Sequence, residues 1–430
     1  MNIRKTGVLL ALLCAAALLL VGCGRKGGVM DEITDGIDDI TGGTTAAQSG
    51  GSHKKVALTL WGAADDQKLL RELCDSFEKQ YKDSDVSVNI RVNGEDVACD
   101  EALKDIDAAA DVFAIANDQL GALVNADAVY ENTLHADEIR SERSESSVAA
   151  ATIGDKLYGY PSSSETYFLF YDKNLLLDTD VKSLEAILNK GLPDGVCPFG
   201  FDFSDAYFSS SFFLTAGCKV YGENGQDPTS VTFNSDEGME AARYIGTLKA
   251  LGAEDMDGDV AGSRFKARKL AAYVSGSWKT AAYAEALGDD LGIAPLPTIH
   301  LGGEDRHMVS FAGGKMYVVK STTAHPVEAM ALAAFLTNED SQLSRFRNRR
   351  LLPNHSALTD SSDIVSDEAA AAEVGQFAYT VPTPSITQIS KYWDPVAAFT
   401  KDMFDGKIAD KDIRGKLDTL VSDITAKKAE

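Results

Sequence analysis

Histidine, cysteine and tryptophan are all scarce, with six, six and three residues in a chain of 430. The histidines are scattered and the cysteines form no CxxC pair, so the spacing of a tetrahedral zinc site is missing. One calcium-like run, Asp255-Met256-Asp257-Gly258-Asp259, carries Val260 at its sixth position and Lys266 at its twelfth, where a calcium loop needs glycine and glutamate. That run reads as a solvated turn, and no metal is expected. Positive charge is short as well. Lys and Arg number 41 against 65 Asp and Glu, a net charge of −24, which repels phosphate backbones and excludes nucleic acid as a partner. The apolar run Val8 to Val21 falls below the ~20 residues that a spanning helix needs.

What that run does fit is an export signal. Arg4 and Lys5 precede it, and Leu20-Val21-Gly22-Cys23 closes it at a small residue. The tetrad resembles the bacterial lipobox, which implies a signal peptide over 1–22 and diacylglycerol on Cys23, holding the chain at the extracytoplasmic face of a membrane. Gly-, Ser- and Thr-rich sequence from Cys23 to residue 53, broken at Gly42-Gly43 and Gly50-Gly51, reads as a flexible tether. Cys14 leaves with the signal, so Cys74, Cys99, Cys197 and Cys218 remain, and sequence alone allows three pairings among them.

The body begins near Lys54 and is too long for one core, because cores stop growing near ~250–300 residues. Two lobes are expected. Val56 to Trp61 alternates as a strand, Leu69, Leu70, Leu73, Phe77 and Tyr81 recur at helical spacing, and Val86 to Ile90 and Asp111 to Ile115 are further strands. Repeated β-α-β units predict a largely parallel α/β sheet, with ligand contacts beyond the strands' carboxyl ends, near Trp61-Gly62 and Asn117-Asp118. A strand is also predicted at Lys315 to Val319, and helices at Leu184 to Leu188, Ser209 to Ala216, Glu237 to Leu251 and Pro326 to Leu336. Arg345 to Arg350 reads as a charged helix face or end, with contact to a transporter as the second reading.

The stretch Phe265 to Trp278, with Gly276 before Ser277-Trp278, resembles the extracellular solute-binding proteins typified by the maltose-binding protein. Arg268 and Ala272 replace a common Gly and Met there. Lys156 to Pro161, Phe170 to Leu175, Gly292 to Pro297 and Ala329 to Thr337 match in the same order, so that the resemblance covers Lys54 to Ile424. It implies a two-lobed periplasmic-binding fold with a ligand cleft that closes by hinge bending. The lobes would comprise 54–163 with 315–360 and 167–310 with 361–424, with crossovers near Ser162 to Thr166 and Ser310 to Gly314.

A sugar receptor needs aromatic platforms and planar hydrogen-bond acceptors. Trp278 and Trp393 match family stacking positions, and Trp61 ends the first strand at the expected cleft mouth. Asp65 and Asp118 match hydroxyl acceptors, Glu165 matches a cleft carboxylate, and Asp205-Ala206-Tyr207-Phe208 keeps the family's acid and stacking tyrosine. Tyr392 adjoins Trp393. Three departures stand out: Asp66 for a lysine, Gln119 for an arginine and Ile115 for a stacking tryptophan; Ala397 also replaces an arginine. The resemblance implies a monomeric, non-enzymatic receptor without cofactor that passes an oligosaccharide, a maltodextrin or another α-glucan, to the permease of an ATP-driven importer. A lipid-anchored glycoside hydrolase using carboxylates such as Asp118 and Asp205, or the same fold holding a polyamine or peptide, are the alternatives.

Overall fold

The computed structural model describes residues 54–426. The expected signal peptide over 1–22, Cys23 and the expected tether to residue 53 fall outside the described residues. Two sheets organise the chain. In the first the order is Thr380–Pro382, Ser310–Val319, Val112–Ala116, Lys55–Gly62 and Asp85–Val92, with Tyr160–Glu165 also paired to Ser310–Val319. In the second it is Leu291–Ala294, Tyr167–Asp172, Leu270–Gly276, Cys197–Phe201 and Ala253–Asp255.

Each sheet has its own apolar core. Val56, Leu58 and Leu60 point inward from one strand against Val88, Phe113 and Val318. The helix Gln67–Gln80 seals that face with Leu69, Leu70, Leu73, Cys74 and Phe77. Full burial of such side chains stabilises by about 1.5–3 kcal/mol each. The second core is denser in aromatics, with Phe199, Phe201, Phe203, Phe212 and Phe213 all inaccessible to solvent. Its central helix, Ala206–Ala216, is capped by Asp205 and ended by left-handed Gly217, and it is buried on nearly every side.

The sheets are mixed, which corrects the largely parallel expectation. Lys55–Gly62 runs parallel to both its neighbours, but Ser310–Val319 enters the first sheet from the crossover end and so lies antiparallel to Val112–Ala116. Tyr160–Glu165 and Tyr167–Asp172 lie one residue apart in sequence and in different sheets. The intervening Thr166 hydroxyl is 2.7 Å from the Ser310 hydroxyl and donates to the Phe311 carbonyl. A third segment joins them where Thr380–Pro382 pairs with Ser310 to Ala312 and the Thr383 N–H donates to the Ala312 carbonyl at 2.8 Å. Crossing segments therefore run side by side.

All four cysteines in the described residues are free and buried, which settles the open pairing. Burial pushes the Cys74, Cys99 and Cys197 thiols up to about 12 and Cys218 up to about 11, so none is poised as a nucleophile. Arg345, expected on a charged face, is buried, with its guanidinium donating to the Leu336 carbonyl and the Tyr317 hydroxyl.

At Gly314 an added Cβ would collide with the Ser163 carbonyl oxygen of the paired strand, whereas at Gly191 it would meet nothing. Gly314→Ala is expected to lower the unfolding free energy by about 2 kcal/mol in urea denaturation, and Gly191→Ala to leave it within ~0.5 kcal/mol or raise it.

Candidate functional site

Short turns at the crossover ends of the sheets carry most of the candidate residues. Asp65 and Asp66 lie on the turn Ala64–Asp66 that follows the first strand, and Asp118 and Gln119 on Asn117–Gln119. On the other lobe, Trp278 occupies the turn Ser277–Lys279 after the strand Leu270–Gly276. Gly276 is required there, since any Cβ would enter the Trp278 ring folded back over it. Asp205 accepts the Tyr207 N–H at 2.8 Å, and that cap fixes the direction in which the Tyr207 ring leaves the helix.

These elements bring Tyr207, Trp278 and Trp393 to one wall. The Tyr207 and Trp278 ring centroids lie 6.5 Å apart. Tyr207 stacks at 6.2 Å and 20° on Phe311, which in turn meets Trp393 edge-on at 6.0 Å. Phe311 is inaccessible and backs the wall, while Tyr207, Trp278 and Trp393 are half-buried. Tyr392 is not part of the surface, contrary to expectation. It is fully buried, with its hydroxyl 2.6 Å from that of Ser210, and it supports the Trp393 ring edge-on from below at 5.1 Å.

Next to the aromatic rings lies a cluster of carboxylates around one ammonium group. Lys315 Nζ lies 3.5 Å from Glu165 Oε2, and Glu95 and Asp118 add to the negative field at that nitrogen. Burial pulls the Lys315 pKa down, but the three carboxylates win and hold it above the ordinary lysine value. For Glu165 and Asp118 burial wins in the opposite sense: both are raised despite Lys315, and the Trp393 side chain further favours the charged form of Asp118 through a hydrogen bond. Glu373 is wholly buried below this cluster and raised well above the usual range by burial. Its Oε1 accepts from the Thr166 N–H and the Ser277 hydroxyl. Burial also raises Asp205.

Other expected contacts are spoken for or lie elsewhere. Asp66 is buried in an ion pair with Arg349, while Asp65 is open to solvent with Arg349 Nη2 at 3.6 Å. The Gln119 amide donates to the Glu95 carbonyl at 2.7 Å, which ties the two loops together. Trp61 does not reach the crossover end. Paired with Phe113, it sits three residues, about 10 Å, short of Ala116 along the ladder and leans on the Phe113 ring at 5.8 Å. Lys315, Glu95 and Glu373 were not singled out in the sequence. The one signal available was a lone lysine after Gly313-Gly314 in an otherwise apolar strand. Among the described residues no group of three His, Cys, Asp or Glu side chains is arranged to hold a metal ion.

Comparison with known proteins gives a consistent picture. The family model for bacterial extracellular solute-binding proteins matches residues 72–373. A galactooligosaccharide-binding protein of Bacillus subtilis is 27% identical over 413 residues, covering 92% of both chains. A maltooligosaccharide ABC transporter solute-binding lipoprotein of Streptococcus pneumoniae is 24% identical and covers 99% of this chain and 98% of its own. Among solved structures, a maltodextrin binding protein from L. casei without ligand superposes with a TM-score of 0.79 at 28% identity, covering 86% of this chain and 99% of that one. Two sheets joined by paired crossing strands, rings and carboxylates gathered beside the crossing, and a family match over most of the folded residues lead to one conclusion: the chain belongs to the bacterial extracellular solute-binding proteins, with their two-lobed fold.

Proposed function

We propose that this chain captures a malto- or galacto-type oligosaccharide between its lobes and hands it to the permease of an ATP-driven importer, making and breaking no bond in the sugar. The observation that carries this reading is the gathering of Tyr207, Trp278 and Trp393 beside Asp118 and Glu165. A pyranose has apolar CH faces that pack on rings and an equatorial rim of hydroxyls that donate to carboxylates. Glu165 Oε1 is buried with no hydrogen-bond partner among the described residues. Such an orphan costs about 1–3 kcal/mol, and a sugar hydroxyl donating to it would remove the cost. Asp65 and Asp205 complete the proposed contacts from either side.

The same reading includes the anchor on Cys23 and the division of the body into 54–163 with 315–360 and 167–310 with 361–424. A lipid anchor keeps the receptor at high local concentration beside its permease, and one relative is itself described as a lipoprotein. Strand membership supports the division, since Tyr160–Glu165 and Tyr167–Asp172 belong to different sheets.

Isothermal titration of the mature chain against malto- and galacto-oligosaccharides is expected to give saturable heat with at least one series, and no heat with either would sink the assignment. With the binding sugar, Trp278→Ala is expected to weaken affinity by about 10- to 100-fold, as loss of stacking and buried area requires.

A second test addresses the charge cluster. Glu165 is raised in the fold, so its charge costs stability as pH rises from the ordinary carboxylate range through the raised value, and the cost is absent below it. Removing the neighbouring ammonium in Lys315→Met raises Glu165 further. The variant is therefore expected to lose about 2 kcal/mol at pH 8 and much less at pH 4.5, read from urea midpoints. Equal losses at both pH values would contradict the pairing.

A further inference from the structure

Trp61 is left over by the cleft. Its ring lines a groove of ≈310 Å³ on the first lobe together with Thr59, Arg91, Asp107, Asp111 and Lys320. The groove lies toward the amino end of the strand Val112–Ala116, away from the crossing strands, as the pairing of Trp61 with Phe113 and of Val319 with Val112 requires.

Its far wall is rigid. Asp111 accepts from the Thr59 N–H at 2.8 Å, the Thr59 hydroxyl at 2.7 Å and the Thr323 hydroxyl at 2.7 Å. Lys320 Nζ donates to the Ala109 carbonyl at 2.8 Å and the Asp107 carbonyl at 3.3 Å, pinning the loop that carries the Asp107 side chain. The indole is braced too, because it leans at 5.8 Å and 55° on the ring of Phe113, its inaccessible partner on the neighbouring strand. At the rim the opposite holds. The Arg91 guanidinium, the Asp107 carboxylate and the Trp61 indole N–H make no hydrogen bond or ion pair with any described residue.

A flat ring braced at its side, a planar five-donor cation and a carboxylate acceptor, around a pinned frame, match a ring with apolar faces and hydroxyls at its edge. The free rim charges are one positive and one negative, so a neutral ligand fits better than an anion or a cation. We propose that this groove is a second, weaker binding site that takes a neutral pyranose ring, stacked on Trp61 and hydrogen-bonded at its edge by Arg91 and Asp107.

The chain has three tryptophans, so the mature protein labelled with 5-fluorotryptophan gives three fluorine resonances, assigned with Trp→Phe variants. On titration with maltotriose or galactobiose, the Trp278 and Trp393 resonances are expected to follow the tight calorimetric phase, and the Trp61 resonance to move only later, in the millimolar range. Arg91→Ala, at an exposed position, is expected to weaken that second phase at least tenfold and leave the first unchanged. A Trp61 resonance that stays still with both sugars, or moves only with the tight phase, overturns the site, as does an unaltered second phase in Arg91→Ala. Movement of Trp61 alone would keep the groove and reject the cleft reading.

Discussion

Everything in this molecule hangs on a buried hydrogen-bonded knot where the crossing segments meet. The Thr166 and Ser310 hydroxyls touch at 2.7 Å, the Gln376 amide donates to the Ser310 hydroxyl and the Met308 carbonyl, and Glu373 accepts the Thr166 N–H at 3.1 Å. All of these side chains are buried, and an unmade hydrogen bond there would cost its full desolvation. The knot fixes which residues enter which lobe and sets Phe311 behind the Tyr207 and Trp393 rings. Asn117 extends it into the first lobe by donating to the Thr383 carbonyl and accepting the Gly314 N–H. Bending can then occur about a few backbone bonds while each core stays intact.

Beside the knot the protein gathers several buried charges around one strand. Glu165, Asp118 and Glu95 share one ammonium, Lys315, on the strand that leaves the knot, and burial pushes the nearby Glu373 carboxyl well above its ordinary value. Acceptors are thereby in surplus on the first lobe and rings on the second. That asymmetry suits a ligand with hydroxyls on its edge and apolar faces above and below.

Local pattern carried the fold a long way. The helix Pro326–Leu336 follows from proline at its first turn and the apolar run behind it, and the strand Lys55–Gly62 from alternation. Motif order points to Asp118, Glu165, Tyr207, Trp278 and Trp393, and the fold sets the three rings on one wall and the two carboxylates around Lys315. What sequence could not supply was register and long-range pairing. Alternation gives Trp61 a face of its strand, but only its pairing with Phe113 shows that the ring ends short of the crossover. Tyr392 looks like a platform until its hydroxyl meets Ser210, 182 positions away. Asp66 looks free until Arg349 reaches it, and Glu373 looks like an ordinary helix acid among alanines until Thr166 and Ser277 close on it. The antiparallel entry of Ser310–Val319 has the same origin, because the direction of a strand arriving from the other lobe is set by the crossover and not by its own residues.

The central claim is that sugar held between the lobes draws them together about the knot. Small-angle X-ray scattering of the mature chain, with and without a saturating dose of the oligosaccharide that gives calorimetric heat, tests it most directly. The radius of gyration is expected to fall on saturation while the scattering of each lobe's core is preserved. An unchanged radius at full calorimetric saturation would contradict the account.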